Sequence, residues 1–90
     1  MDETTNIPSP AREDEKAEAA VLERLLALHP IQLDLGELAR EVVGGRPGFA
    51  ASDSVARAVE QLHAAGLLRR NGETIAPTRA ALRFYELLED

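Results

Sequence analysis

The chain contains no cysteine, which removes disulfides, thiolate zinc sites and cysteine nucleophiles together. Its aromatic residues are only Phe49, Phe84 and Tyr85. A core must therefore come from Leu, Val, Ile and Ala, which suits packed helices better than a sandwich of sheets. No apolar run approaches the roughly 20 residues needed to span a bilayer. The first fifteen residues hold five acids and no apolar signal core. Neither export nor membrane insertion is expected, and a cytoplasmic location fits the lack of cysteine. Lysine is nearly absent too, at one Lys16 against nine arginines. With abundant alanine, that is the bias of GC-rich bacterial genomes.

What is present bounds the fold. Ninety residues with 44 % apolar content allow one small domain with a single modest core. The net charge of −6 is uneven: residues 1–15 carry −4, leaving only −2 on the rest. A nucleic-acid binder needs a local positive surface more than a basic total, because phosphate neutralisation supplies most non-specific affinity.

Residues 1–8 are polar and short of core-forming side chains, and read as a disordered acidic lead; residues 9–90 read as the domain. Ser9 is placed to cap a helix with Pro10 at its first position, where a missing N–H is harmless. Ala17, Ala20, Val21, Leu22, Leu25, Leu26 and Leu28 then recur at helical spacing. Pro30 ends that helix. Ile31–Leu33 alternates as a short strand would. Asp34 with Glu37 predicts a capping box opening a second helix, whose inner face is Leu35, Leu38, Ala39, Val42 and Val43. Gly44 and Gly45 stop it. Residues 44–51 read as a long turn with Phe49 folded inward as its plug. Ser52 or Asp53 then caps a third helix over 52–65, with Val55, Ala58, Val59, Leu62 and Ala65 inward. Thr78 is expected to cap a last helix over 79–89. The apolar residues of that helix cover more than one stripe, enough to pack on the first helix and leave some for a partner.

Between the third and last helices, Gly66 is a stop and Asn71-Gly72 predicts a two-residue type I′ hairpin turn. That turn pairs Arg70 with Glu73, Arg69 with Thr74, Leu68 with Ile75 and Leu67 with Ala76. The fold class is thus mainly α with a small β-hairpin wing, in the order α-β-α-α-β-β-α.

Certain residues carry a family likeness: Leu38-Ala39-Arg40 in the second helix, Val55, Val59 and Gln61-Leu62 in the third, and Gly66-Leu67-Leu68-Arg69-Arg70 entering the hairpin. Over about residues 16–77 the chain resembles the winged helix-turn-helix superfamily, in particular small bacterial transcriptional regulators. The resemblance implies that helix 52–65 enters a DNA major groove and hairpin 67–77 lies against phosphates. In that reading Arg57 reads guanine, Gln61 adenine, and Ser52 and Ser54 contact base or phosphate. Arg40, Arg46, Arg69 and Arg70 clamp phosphates. The chain departs from the pattern in having a single base, Arg57, on the exposed face of the third helix. Asp53 and Glu60 flank it at helical spacing, so a local ion pair is the alternative role for Arg57. Arg70 likewise has the alternative of a cross-strand pair with Glu73.

No metal or catalytic site is expected. His29 and His63 lack partners at ligand or triad spacing. Gly44-Gly45-Arg46-Pro47-Gly48 lacks the Gly-Lys-Ser/Thr of a phosphate loop. The chain is read as a non-enzyme without cofactor. Two functions remain open: a DNA-binding module, paired through helix 79–89 or helix 10–28 as a homodimer, or a winged helix that docks on another protein and binds no DNA.

Overall fold

The computed structural model describes residues 10–44 and 49–89, with side chains described at 14–44 and 53–89. Among these residues the order of elements is α1 (Pro10–Leu28), β1 (Leu33–Asp34), α2 (Leu35–Val43), α3 (Phe49–Ala64), β2 (Leu68–Asn71), β3 (Thr74–Pro77) and α4 (Arg79–Glu89). Four helices surround a small antiparallel sheet. The expected acidic lead, the Ser9 cap and Arg46 lie outside the described residues.

The core is aliphatic. Val21 and Leu25 of α1, Leu38 and Ala39 of α2, Val55, Ala58, Val59 and Leu62 of α3, Leu68 of β2 and Ile75 of β3 form one buried cluster. Spacings of three and four residues put the α3 members on one side of that helix, and burying a Leu or Val side chain supplies about 1.5–3 kcal/mol. Ala17, Leu22, Leu33, Val42 and Leu67 pack at the edge.

Local chemistry explains most boundaries. Asp34 and Glu37 form the capping box: the Glu37 amide donates to Asp34 Oδ1 at 2.8 Å, and the Asp34 amide donates to Glu37 Oε1 at 2.9 Å. Gly44, with φ of +80°, closes α2, its amide donating to the Arg40 carbonyl. At the far end of α3 the Leu67 amide donates to the Leu62 carbonyl at 2.9 Å and the Gly66 amide to the His63 carbonyl at 3.0 Å. Those two bonds, with Gly66 at φ +85°, make a Schellman motif. Thr78 joins the two helices across the sheet. Its amide donates to the Leu67 carbonyl, its hydroxyl donates to the Gly66 carbonyl at 2.8 Å, and its Oγ1 accepts from the Ala81 amide at 3.3 Å as the expected cap of α4.

Four expectations need correction. First, α3 begins at Phe49, so Ser52 and Asp53 lie inside the helix instead of capping it. Ala50 and Ala51 are strong helix formers with no proline after Pro47, and the helix extends back through them. The side chains of Phe49 and Ser52 are outside the described set. Second, Ala65 lies past the helix end and is exposed, and Leu35, at the first position of α2, is 41 % exposed.

Third, the strand expected at 31–33 lies at Leu33–Asp34, because the Ile31 amide turns back to the Leu28 carbonyl at 2.8 Å. It pairs with β3, giving a three-stranded sheet in the order β1-β3-β2 in place of a bare hairpin.

Fourth, the hairpin register differs. Asn71 pairs with Thr74, Arg70 with Ile75, Arg69 with Ala76 and Leu68 with Pro77. The loop is therefore Gly72-Glu73. Gly72 has φ +66° and no described non-glycine residue has positive φ, which fits a II′ turn and not the I′ turn that would need positive φ at Asn71. Asn71 is held in the strand, its side-chain amide donating to Gln32 Oε1 at 3.4 Å. Thr74 Oγ1 stands 2.8 Å from both the Gln32 amide oxygen and the Asn71 carbonyl. The pairing is moved by two residues, so every side chain keeps its expected face while changing its opposite number.

Two substitutions measure the α3–α4 junction. Gly66→Ala meets no atom within 4 Å, so its cost is the strain of a left-handed backbone alone, about 1 kcal/mol in chemical denaturation. Thr78→Val removes both hydroxyl bonds and lowers stability by about 1–2 kcal/mol in the same assay.

Candidate nucleic-acid interface

The buried stripe of α3 sets what that helix shows to solvent. With Val55, Ala58, Val59 and Leu62 inward, Asp53, Arg57, Glu60, Gln61 and Ala64 are exposed and Ser54 is half-buried. This is the face the sequence assigned to groove reading. Arg69, Arg70 and Arg40 are exposed as well.

The structure places these arginines in unequal settings. Arg70 lies on the core-facing side of the hairpin, in register with Ile75, and its Nη2 is 3.9 Å from Glu60 Oε2 on α3. Arg70 and Arg40 line one shallow groove between the start of α2 and the hairpin turn, together with Asp34, Leu35, Gly36, Gly72 and Glu73. Arg69 faces the other side of the sheet, in register with Ala76. Arg40 and Arg69 make no ion pair with any described residue. Arg46 lies outside the described residues, and for Ser52 only the backbone position in α3 is described.

Arg57 does not pair with Asp53 or Glu60, the acids near it in sequence. Its Nη2 reaches Asp14 Oδ1 on α1 at 3.3 Å and stands 3.4 Å from Ser54 Oγ. Arg70 likewise pairs with Glu60 and not with Glu73, because the true register puts Ile75 opposite it. The two alternatives raised for these arginines are thus realised in kind but with other partners. Asp14 and Glu60 are the site residues that sequence reasoning missed in this role. Asp14 is 43 positions from Arg57, so no local spacing signals the contact.

Energetically these pairs are light. The side chains of Arg57 and Asp14 are 57 % and 38 % exposed, and those of Arg70 and Glu60 are 50 % and 74 % exposed. Exposed pairs of this kind contribute about 0–1 kcal/mol and weaken further with salt. A phosphate oxygen would replace either carboxylate at little loss, since the same charge-assisted hydrogen bonds re-form. Among the described residues, no group of three or more His, Asp or Glu is placed to hold a metal ion. No described helix is long and apolar enough to cross a membrane.

Compared with protein-family models, curated proteins and solved structures, the chain matches none.

Asp14→Asn and Glu60→Gln should each change the unfolding free energy by less than about 1 kcal/mol, with the difference from the parent shrinking further at high salt. Urea denaturation at two salt concentrations measures it.

Proposed function

We propose that the chain is a DNA-binding module of the winged helix-turn-helix kind, acting in transcription regulation in a bacterial cytoplasm, and not an enzyme. One observation carries the reading. Arg70 stands between Glu60 on the outer face of α3 and Arg40 on α2. The exposed face of α3, the hairpin and α2 therefore form one continuous surface, the arrangement that groove reading by a helix and phosphate contact by a hairpin requires.

In this reading α3 enters the major groove with Arg57 and Gln61 toward base edges and Ser54 toward base or phosphate. Ser52, on the same helix, belongs to the set by sequence, as Arg46 does in the segment before it. Arg40, Arg69 and Arg70 meet phosphates, which fix orientation and carry no sequence information. Base reading is thin beside phosphate contact, because Arg57 is the lone arginine on the groove-facing side. A second copy, joined through α4 or α1, would supply a second α3 for a neighbouring half-site.

A second reading has its own support. Asp14 and Glu60 occupy Arg57 and Arg70, and Asp53 and Glu73 are exposed nearby. Such mixed charge suits contact with a protein surface of alternating sign, without DNA.

Binding to a fluorescent mixed-sequence duplex across a salt series separates the two. DNA binding gives log K falling with log salt, and Arg69→Ala with Arg70→Ala lowers the slope by about 2 and weakens all sequences alike. Arg57→Ala relaxes preference at one base pair by about 1–3 kcal/mol. Asp14→Asn and Glu60→Gln tighten binding by releasing their arginines. No affinity at low salt, or tightening absent from both neutralised variants, turns the assignment to the protein-docking alternative.

A further inference from the structure

The side of α4 turned away from the fold is apolar. Phe84, Leu87 and Leu88 are 59 %, 58 % and 66 % exposed, whereas Ala81 is buried and Leu82 and Tyr85 are half-buried. The helix therefore already has its inner side, and the exposed residues are a separate face. At about 100° per residue, Ala80, Phe84, Leu87 and Leu88 fall within an arc of roughly 100°. Beside it runs an apolar groove of about 380 Å³ between α1 and α4, lined by Leu22, Leu26, Phe84, Tyr85 and Leu88 among others. Exposed apolar area gathered on one helix in this way marks an interaction surface.

Charge indicates what covers it. Along the flank of this face beside Leu87, the helix carries Arg79 and Arg83 in its first half and Glu86 in its second. Arg83 and Glu86 pair within the chain at 3.2 Å, with side chains 68 % and 67 % exposed. A second α4 laid antiparallel, with the two-fold axis beside Phe84, sets Phe84 against its own copy and Leu88 against Ala80 of the other chain. The same placement brings Arg83 beside Glu86 of the second copy, and opposes the two helix dipoles. A parallel placement would instead stack arginine on arginine and glutamate on glutamate.

The geometry points to a symmetric homodimer formed by antiparallel packing of α4 on α4 of a second copy, with Phe84 at the two-fold axis and an Arg83/Glu86 charge cluster across it. The interface is isologous, as two-fold dimers require. It stands whether or not nucleic acid is bound.

Sedimentation velocity of the full chain without DNA, over a wide concentration range, tests it. The expected result is a dimer that dissociates on dilution. Phe84→Glu and Leu88→Glu each move dissociation to roughly tenfold higher concentration or more, as loss of central apolar contacts does. Arg83→Glu weakens the dimer, and adding Glu86→Arg to it restores association, with circular dichroism confirming the helical fold throughout. Should an apolar-to-Glu variant unfold, the charge swap decides alone. A monomer at every concentration overturns the proposal, as does a dimer indifferent to Phe84, Leu88 and the charge swap. Because no DNA is present, this outcome is read separately from DNA binding.

Discussion

Everything in this domain is hung on one stripe of α3. Val55, Ala58, Val59 and Leu62 are the members of the core that meet α1, α2 and the sheet together. No described aromatic side chain is in that cluster, so the packing relies on many medium-sized aliphatic contacts instead of one large anchor. Rotation of α3 about its axis is consequently determined by four residues of modest volume. The same rotation decides that Arg57 and Gln61 face solvent, that Glu60 meets Arg70, and that Asp14 is in reach of Arg57. Interior and candidate interface are two sides of a single constraint.

The sheet is a second consequence of small size. Two residues of β1 would not hold as a strand alone. They are kept by pairing with β3, which is central, and by Gln32, whose side-chain oxygen meets Asn71 and Thr74 beyond the strand. Through this link the hairpin that carries Arg69 and Arg70 is tied to the segment that precedes α2. The phosphate-contact candidates on the hairpin and on α2 therefore share one scaffold, where an isolated hairpin would leave each to move independently.

Features with a local cause were legible in the sequence. The Asp34/Glu37 box, the Gly44 and Gly66 stops, the Pro10 start and the bounds of α4 each depend on residues within one turn of each other. The inward residues of α1 and α3 followed from period, apart from Ala65, which the Schellman motif pulls out of the helix. In the hairpin, faces were legible because they depend only on parity, whereas pairing depends on which residues enter the loop. That choice was made by Gln32 and Thr74 holding Asn71 in the strand, a contact between distant parts of the chain. For the same reason the candidate arginines were legible as residues and their ionic partners were not. Asp53 and Glu73 were the acids suggested by spacing; tertiary placement supplied Asp14 and Glu60.

The occupied arginines have a consequence for the kind of ligand the surface can favour. A lone anion approaching Arg70 or Arg57 exchanges one carboxylate for another charge of the same sign and gains almost nothing. A ligand that presents several anionic groups in a row displaces both carboxylates in one event and reaches Arg40 and Arg69 in addition, so its gains accumulate while the cost of arrival is met once. The acids thus act as a filter against small anions, leaving the surface responsive to charge that comes in extended, regularly spaced form.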